Sequence, residues 1–207
     1  MPREIAYHHD CTDAEIAKAL AAMLKDALAG HDGPVAITVP GGSTPFPILA
    51  QLAKHDLDWA RLEVWPGDDR CVPADHCASN YGRLREVLAE TEAHVVPLVE
   101  SSEPPQFALA WLGMGGDGHV ASLFPSSDPQ SDDPVAVRRL TPDPLPPEAP
   151  FDRVTMTMPK FLGADALVFV IRGADKLALF EAAANGENDL PVARLLTRVR
   201  APVTCFA

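Results

Sequence analysis

The stretch LGMGGDGHVASLFP, Leu112 to Pro125, sets a carboxylate and an imidazole among four glycines, with an apolar run directly behind them. A free imidazole has a pKa of about 6.5 and exchanges a proton near neutral pH, and glycines on either side let the backbone come close to a ligand. Asp117 and His119 in that setting fit a general base with a carboxylate partner. They also fit an aspartate cap followed by a solvent-facing histidine, the reading that composition alone favours. Gly113 to Gly118 contains the spacing GxGxxG, but a dinucleotide fingerprint follows the first strand of a βαβ unit and needs an acidic residue about 20 positions on. Here the motif lies past the middle of the chain and a proline-rich stretch follows, which argues against a nicotinamide or flavin site.

A second stretch, Gly41, Gly42, Ser43 and Thr44, combines unhindered backbone N–H groups and two hydroxyls just before Pro45, a residue suited to a first helical turn. Such a turn can hold a phosphate or carboxylate at a helix N-terminus, and it can also be only a tight turn with a cap. The Walker pattern is absent, since no GK(S/T) follows. Arg70, Arg153 and Lys176 are the cations placed to clamp an anion, although surface charge is the common fate of such residues. Arg153 heads a strand and so can lie at the opposite sheet edge, which makes Arg70 and Lys176 the better candidates. Cys71 and Cys77 bracket Asp75 and His76 at a spacing that fits no common metal site, and the four cysteines form no CxxC pair. Neither a metal nor a cofactor is expected.

These residues need a scaffold that gathers loops at one edge. Thr12 and Glu15 form a capping box, the apolar stripe Ile16, Leu20, Met23, Leu24 and Ala27 follows, and Gly30 ends that helix. VAITV from Val35 reads as a buried parallel strand, then come the glycine turn and a helix capped by Ser43 or Thr44. LEVW, HVVPL, FALAWL, RVTMTM, ALVFVI and APVTCFA read as further strands after the opening EIAYHH. Helices are expected from Ser79 or Asn80, around Leu177 to Ala184, and from Pro191, and VASLF can start another. Prolines at 125, 129, 134, 142, 144, 146, 147 and 150 make that segment a surface excursion, with VAVRRL as an edge strand. The pattern predicts one α/β domain over residues 1–207, a three-layer α/β/α sandwich with a mainly parallel sheet. In such sheets ligands bind beyond the carboxyl ends of the strands, where the loops at 40–44, 66–80, 113–119 and 172–176 fall.

A net charge of −12 excludes nucleic acid as a partner, because phosphate-backbone binding needs Lys and Arg clusters. The N-terminus lacks the features of a signal peptide and no apolar run nears the ~18 residues of a membrane span, so a cytoplasmic protein with a small-molecule partner is expected.

GGSTP (41–45), DDRCVPADHCASNYGRLRE (68–86), LGMGGDGHVASLFP (112–125), RVTMTM with the following GADK (153–176) and PVARLL (191–196) together resemble the 6-phosphogluconolactonase family over nearly the whole chain. The resemblance implies hydrolysis of 6-phospho-D-glucono-1,5-lactone to 6-phosphogluconate in the oxidative pentose phosphate pathway, on the sugar-phosphate isomerase type of sandwich. It implies His119 as base with Asp117 beside it, and a phosphate near Gly42, Ser43 and Thr44 with Arg70 and Lys176 supplying charge. Gly41, Asp68, Asn80, Gly115 and Arg153 complete the implied substrate contacts, without metal or cofactor, in a monomer or small homo-oligomer.

Two departures stand out. The family usually shows Asp-Glu-Arg where this chain has Asp68, Asp69 and Arg70, and PLVESSEPPQ (97–106) replaces an expected helix. A glucosamine-6-phosphate deaminase on the same fold normally has NGH before IAFNEP, against DGH before VASLFP here. A sugar-phosphate sensor without catalysis is a further alternative, disfavoured by the presence of both Asp117 and His119.

Overall fold

A strand that is apolar at every position needs cover on both faces, and Val35–Val39 is buried at all five. The structure, a computed structural model describing residues 5–147 and 149–207, supplies that cover. In chain order the strands are β1 (Ile5–His8), β2 (Val35–Val39), β3 (Leu62–Pro66), β4 (Asp68–Arg70), β5 (His94–Val95), β6 (Leu109–Leu112), β7 (Val137–Leu140), β8 (Arg153–Met156), β9 (Leu167–Val170) and β10 (Val203–Phe206). The α-helices are α1 (Asp13–Ala29), α2 (Pro45–Leu52), α3 (Asn80–Val87), α4 (Met158–Leu162), α5 (Ala174–Ala184) and α6 (Pro191–Arg198).

Seven strands form the main sheet in the order β1-β10-β9-β6-β2-β3-β5, and every pairing in it is parallel. Alternate residues divide the core in two. Val35, Ile37, Val39, Leu109, Trp111, Val168 and Val170 pack under α1, α2 and α3. Ala36, Ala110, Leu112, Leu167 and Phe169 face the other way, onto Met158, Phe161, Phe180 and Leu195 of α4, α5 and α6. Each fully buried large side chain contributes roughly 1.5–3 kcal/mol relative to exposure, so both helix layers are anchored. Thr12 caps α1 as its sequence predicts, with the Glu15 N–H donating to Thr12 Oγ1 and the Thr12 N–H to Glu15 Oε2. Among the described residues no helix is long and apolar enough to cross a membrane.

The α/β expectation holds, with differences that bear on the site. β8 is not in the main sheet: it joins β4 and β7 in a three-stranded antiparallel sheet, where Val137, Val154 and Met156 close part of the second face. VASLF forms no helix. Gly115 N–H bonds the His119 carbonyl, isolated bridges pair Met114 with Val120 and Val120 with Leu123, and the tight turns bury Val120 and Leu123. Neither hydroxyl caps α2: Thr44, the residue before it, is itself α-helical in backbone and makes no side-chain cap bond. Residues 97–106 contain no helix, as their sequence suggests; Leu98 is buried within the segment and Phe107 just after it, and Lys160 Nζ donates to the Pro104 carbonyl at 2.6 Å.

Candidate active site

β2 and β6 are neighbours, yet the chain leaves them in opposite directions: β2 runs through α2 to β3, and β6 through the glycine loop towards β9. Such a divergence opens a crevice at the carboxyl ends of the two strands. A cavity of about 340 Å³ lies there, of a size that suits a small ligand. Gly41, Gly42, Ser43 and Thr44 line it from the β2 side, and Gly113, Met114, Gly115 and His119 from the β6 side. Asp68, Arg70 and Asn80 come from the β4 to α3 region, and Arg172 and Lys176 from the loop after β9 and the start of α5.

His119 is the one imidazole on this wall. Its Nδ1 lies 2.6 Å from Asp117 Oδ1, and its backbone N–H donates to the same oxygen at 3.2 Å. That contact favours the tautomer with the proton on Nδ1 and leaves Nε2 basic. Partial burial works to raise the Asp117 carboxyl, but the facing His119 and its hydrogen bonds outweigh burial and hold it below the ordinary value. Phe124 covers part of the ring, with centroids 4.9 Å apart.

Two glycines make this geometry possible. A Cβ on Gly115 would stand 2.1 Å from His119 Cε1 and 2.7 Å from Asp117 Oδ1, inside both side chains. Gly118 has φ +78°, a conformation side chains rarely tolerate, and a Cβ there would strike Leu190 at 2.8 Å. The Val192 N–H also donates to the Gly118 carbonyl at 3.1 Å, so the start of α6 clamps the loop that carries His119.

The opposite wall is built on Asp69. Its carboxylate is 6% exposed and accepts the N–H groups of Arg70 at 2.8 Å, Asn80 at 2.7 Å and Tyr81 at 2.9 Å, together with the Ser79 hydroxyl at 3.3 Å. Burial pushes the Asp69 carboxyl up while those bonds oppose it. The shorter acid thus ties β4 directly to the N-terminus of α3. Asn80 Nδ2 then donates to the Asp68 carbonyl at 2.8 Å, and Ser122 Oγ donates to Asp68 Oδ2. Arg70 Nη1 is fixed on the Ala78 carbonyl at 2.8 Å and Lys176 Nζ on the Met114 carbonyl at 3.2 Å. Arg70 Nε and Asn80 Oδ1 are buried without a hydrogen-bond partner among the described residues, an unusual cost in a well-packed wall.

Eleven of the twelve residues expected from the sequence therefore meet at this crevice: ten line it, and Asp117 joins through His119. Arg153 does not line it. In register with Arg70 on the antiparallel ladder, it is 3% exposed, and its guanidinium donates to the carbonyls of Phe151 at 2.6 Å and Ala149 at 2.8 Å. Burial, reinforced by the Arg70 charge, lowers its affinity for the proton. The Cys71 to Cys77 segment is an ordinary loop: both thiols are exposed, and the His76 ring meets Phe151 edge-on at 5.2 Å. Sequence reasoning missed Arg172 and Ser122. Arg172 had a signal, a second cation four residues before Lys176 at a strand end; Ser122 had none, because only the fold brings it to Asp68.

The family described as glucosamine-6-phosphate isomerases/6-phosphogluconolactonase matches residues 9–104 and 89–203. A protein of Neisseria meningitidis serogroup A named 6-phosphogluconolactonase is 34% identical over 88% of this chain and 89% of its own. One of the same name from Pseudomonas aeruginosa is 36% identical over 92% of this chain and 90% of its own. The crystal structure of a 6-phosphogluconolactonase from Shewanella baltica superposes with a TM-score of 0.84 at 25% identity, covering 100% of this chain and 98% of that one.

Proposed function

The chain belongs to the glucosamine-6-phosphate isomerase/6-phosphogluconolactonase family, and on that premise we propose that it hydrolyses 6-phospho-D-glucono-1,5-lactone to 6-phosphogluconate, with His119 as general base. The observation that carries this reading is the Asp117–His119 contact of 2.6 Å on the wall of a cavity that also presents a glycine-serine-threonine turn and cations. A δ-lactone is an activated ester. Water attack needs a base for the water proton, donors for the developing oxyanion, and a proton for the departing ring oxygen. His119 Nε2 takes the proton from water and returns it to the ring oxygen, a role worth about 10²–10⁴ in rate. Asp117 keeps the imidazole in the right tautomer and stabilises the imidazolium between the two transfers.

The Gly115 N–H is engaged by the His119 carbonyl, so in this reading its neighbours in the loop donate to the oxyanion, and Gly115 contributes by lacking a side chain. The phosphate binds at Gly42, Ser43 and Thr44 with Arg70 and Lys176, and Gly41, Asp68 and Asn80 hold the sugar end. Anchoring at the remote phosphate fixes the carbonyl against His119, so binding energy away from the reacting bond supports the chemistry. Arg153 acts behind the cavity, where it supports the strand that carries Arg70.

The test is lactone hydrolysis by purified protein, corrected for spontaneous opening. His119→Ala is expected to lose at least about 10²-fold in kcat while still binding 6-phosphogluconate. Wild-type hydrolysis by that variant refutes the assigned base.

A further inference from the structure

Arg172 lies two residues past the end of β9 and lines the cavity together with Lys176. Its Nη1 donates to the Cys11 carbonyl at 2.9 Å and its Nη2 to Asp13 Oδ1 at 3.0 Å. A guanidinium carries five N–H donors, so these two bonds leave three for another partner. The side chain is 36% exposed and that of Asp13 44%, so the pair stands in water, where such a bridge is worth roughly 0–1 kcal/mol and shifts readily. Arg138, Arg139 and Arg194, by contrast, are paired with carboxylates away from the cavity.

A chain of net charge −12 repels a phosphate dianion at long range, so its hold must come from the few cations at the site. A phosphate dianion is a stronger partner for this guanidinium than the half-solvated Asp13 carboxylate, because it carries more charge and can take two N–H groups, whereas Asp13 is met through one oxygen only. We propose that Arg172 is a third cationic contact for the substrate phosphate, and that Asp13 is its competitor: the carboxylate positions the guanidinium in the free protein and weakens its grip on the anion. This assignment rests on reading the cavity as a phosphorylated-lactone site. It gives the two partners of one ion pair opposite effects on binding. A strut joining α1 to the β9 loop would give them the same effect.

The experiment measures affinity for 6-phosphogluconate, gluconate and inorganic phosphate by titration calorimetry, alongside lactone hydrolysis and thermal unfolding. Arg172→Gln is expected to weaken 6-phosphogluconate and phosphate binding about tenfold. Asp13→Asn tightens both about two- to fivefold, and neither change moves gluconate affinity. Arg172→Lys keeps the charge but not the fork and falls between wild type and Arg172→Gln. Unchanged affinity in Arg172→Gln, or a loss of affinity in both Arg172→Gln and Asp13→Asn, overturns the assignment. If wild type hydrolyses the lactone and Arg172→Gln binds as tightly, the contact alone fails. If wild type is inert towards the lactone but its phosphate affinity still depends on Arg172, the hydrolase reading fails and the anion contact stands.

Discussion

Asp69→Asn isolates the contribution of one buried carboxylate to the wall that carries Arg70 and Asn80. Oδ1 accepts from the Arg70 and Asn80 N–H groups, and Oδ2 from the Tyr81 N–H and the Ser79 hydroxyl. The amide keeps one oxygen and puts an NH₂ where the other stood, so the Tyr81 N–H faces a donor. A buried donor left unsatisfied costs about 1–3 kcal/mol, and the two retained bonds lose their charge assistance, about 1 kcal/mol each. Removing a charge that burial opposes offsets part of this loss. The net expectation is about 2–3 kcal/mol of destabilisation, which for a chain of this size lowers Tm by about 4–12 °C. Urea and thermal unfolding followed by the fluorescence of Trp59, Trp65 and Trp111 measure it. KM for the lactone should rise as well, because Asn80 loses its place at the start of α3. A variant within about 0.5 kcal/mol of wild type would show that Asp69 does not hold β4 to α3, and the account of this wall would fall.

Gly115→Ala places a methyl group inside the His119 ring position and should cut kcat by about 10²-fold with little change in circular dichroism; full activity contradicts the close packing described. Arg194 ties Asp128 and the Pro129 carbonyl to Asp189, one residue before the Leu190 that packs on Gly118. Because these pairs are exposed, Arg194→Ala should lower Tm by only about 2–4 °C, yet limited proteolysis should cut near 128–131 faster than in wild type. Equal cleavage rates would mean that other contacts hold the segment. Hydrogen bonds from Arg138 keep the Asp133 carboxyl below its ordinary value. A depressed folded-state pKa adds stability above the unfolded value of about 3.9 and loses it as pH falls through the folded one. Asp133→Asn should therefore be less stable than wild type at pH 6 and nearly equal to it at pH 2; a gap independent of pH removes the ion pair as its cause.

Alternation of strand and helix, the Thr12 capping box and the arrival of the glycine loops at strand ends were readable because each is a local signal. Capping needs residues three apart, and a buried strand declares itself by an unbroken apolar run. The helix-free 97–106 segment was readable for the same reason, since Pro97, Pro104 and Pro105 break any helical run. VASLF misled because its apolar residues suit a helix, and only the bond from Gly115 to the His119 carbonyl shows that a turn already uses that backbone.

Residue type and spacing alone therefore determined the α/β order and the loops that make up the crevice; they left Asp117 and His119 open between a cap with a free histidine and a paired base, and the folded loop joins the two at 2.6 Å. Tertiary structure decided which cations face the crevice. Arg153 and Arg172 are both arginines at strand ends, but antiparallel pairing of β8 with β4 buries the first against the carbonyls of Ala149 and Phe151. Parallel pairing of β9 with β6 delivers the second to the cavity. Strand direction sets which end of a strand reaches the ligand edge, and it is fixed by partners distant in the chain rather than by the strand's own residues.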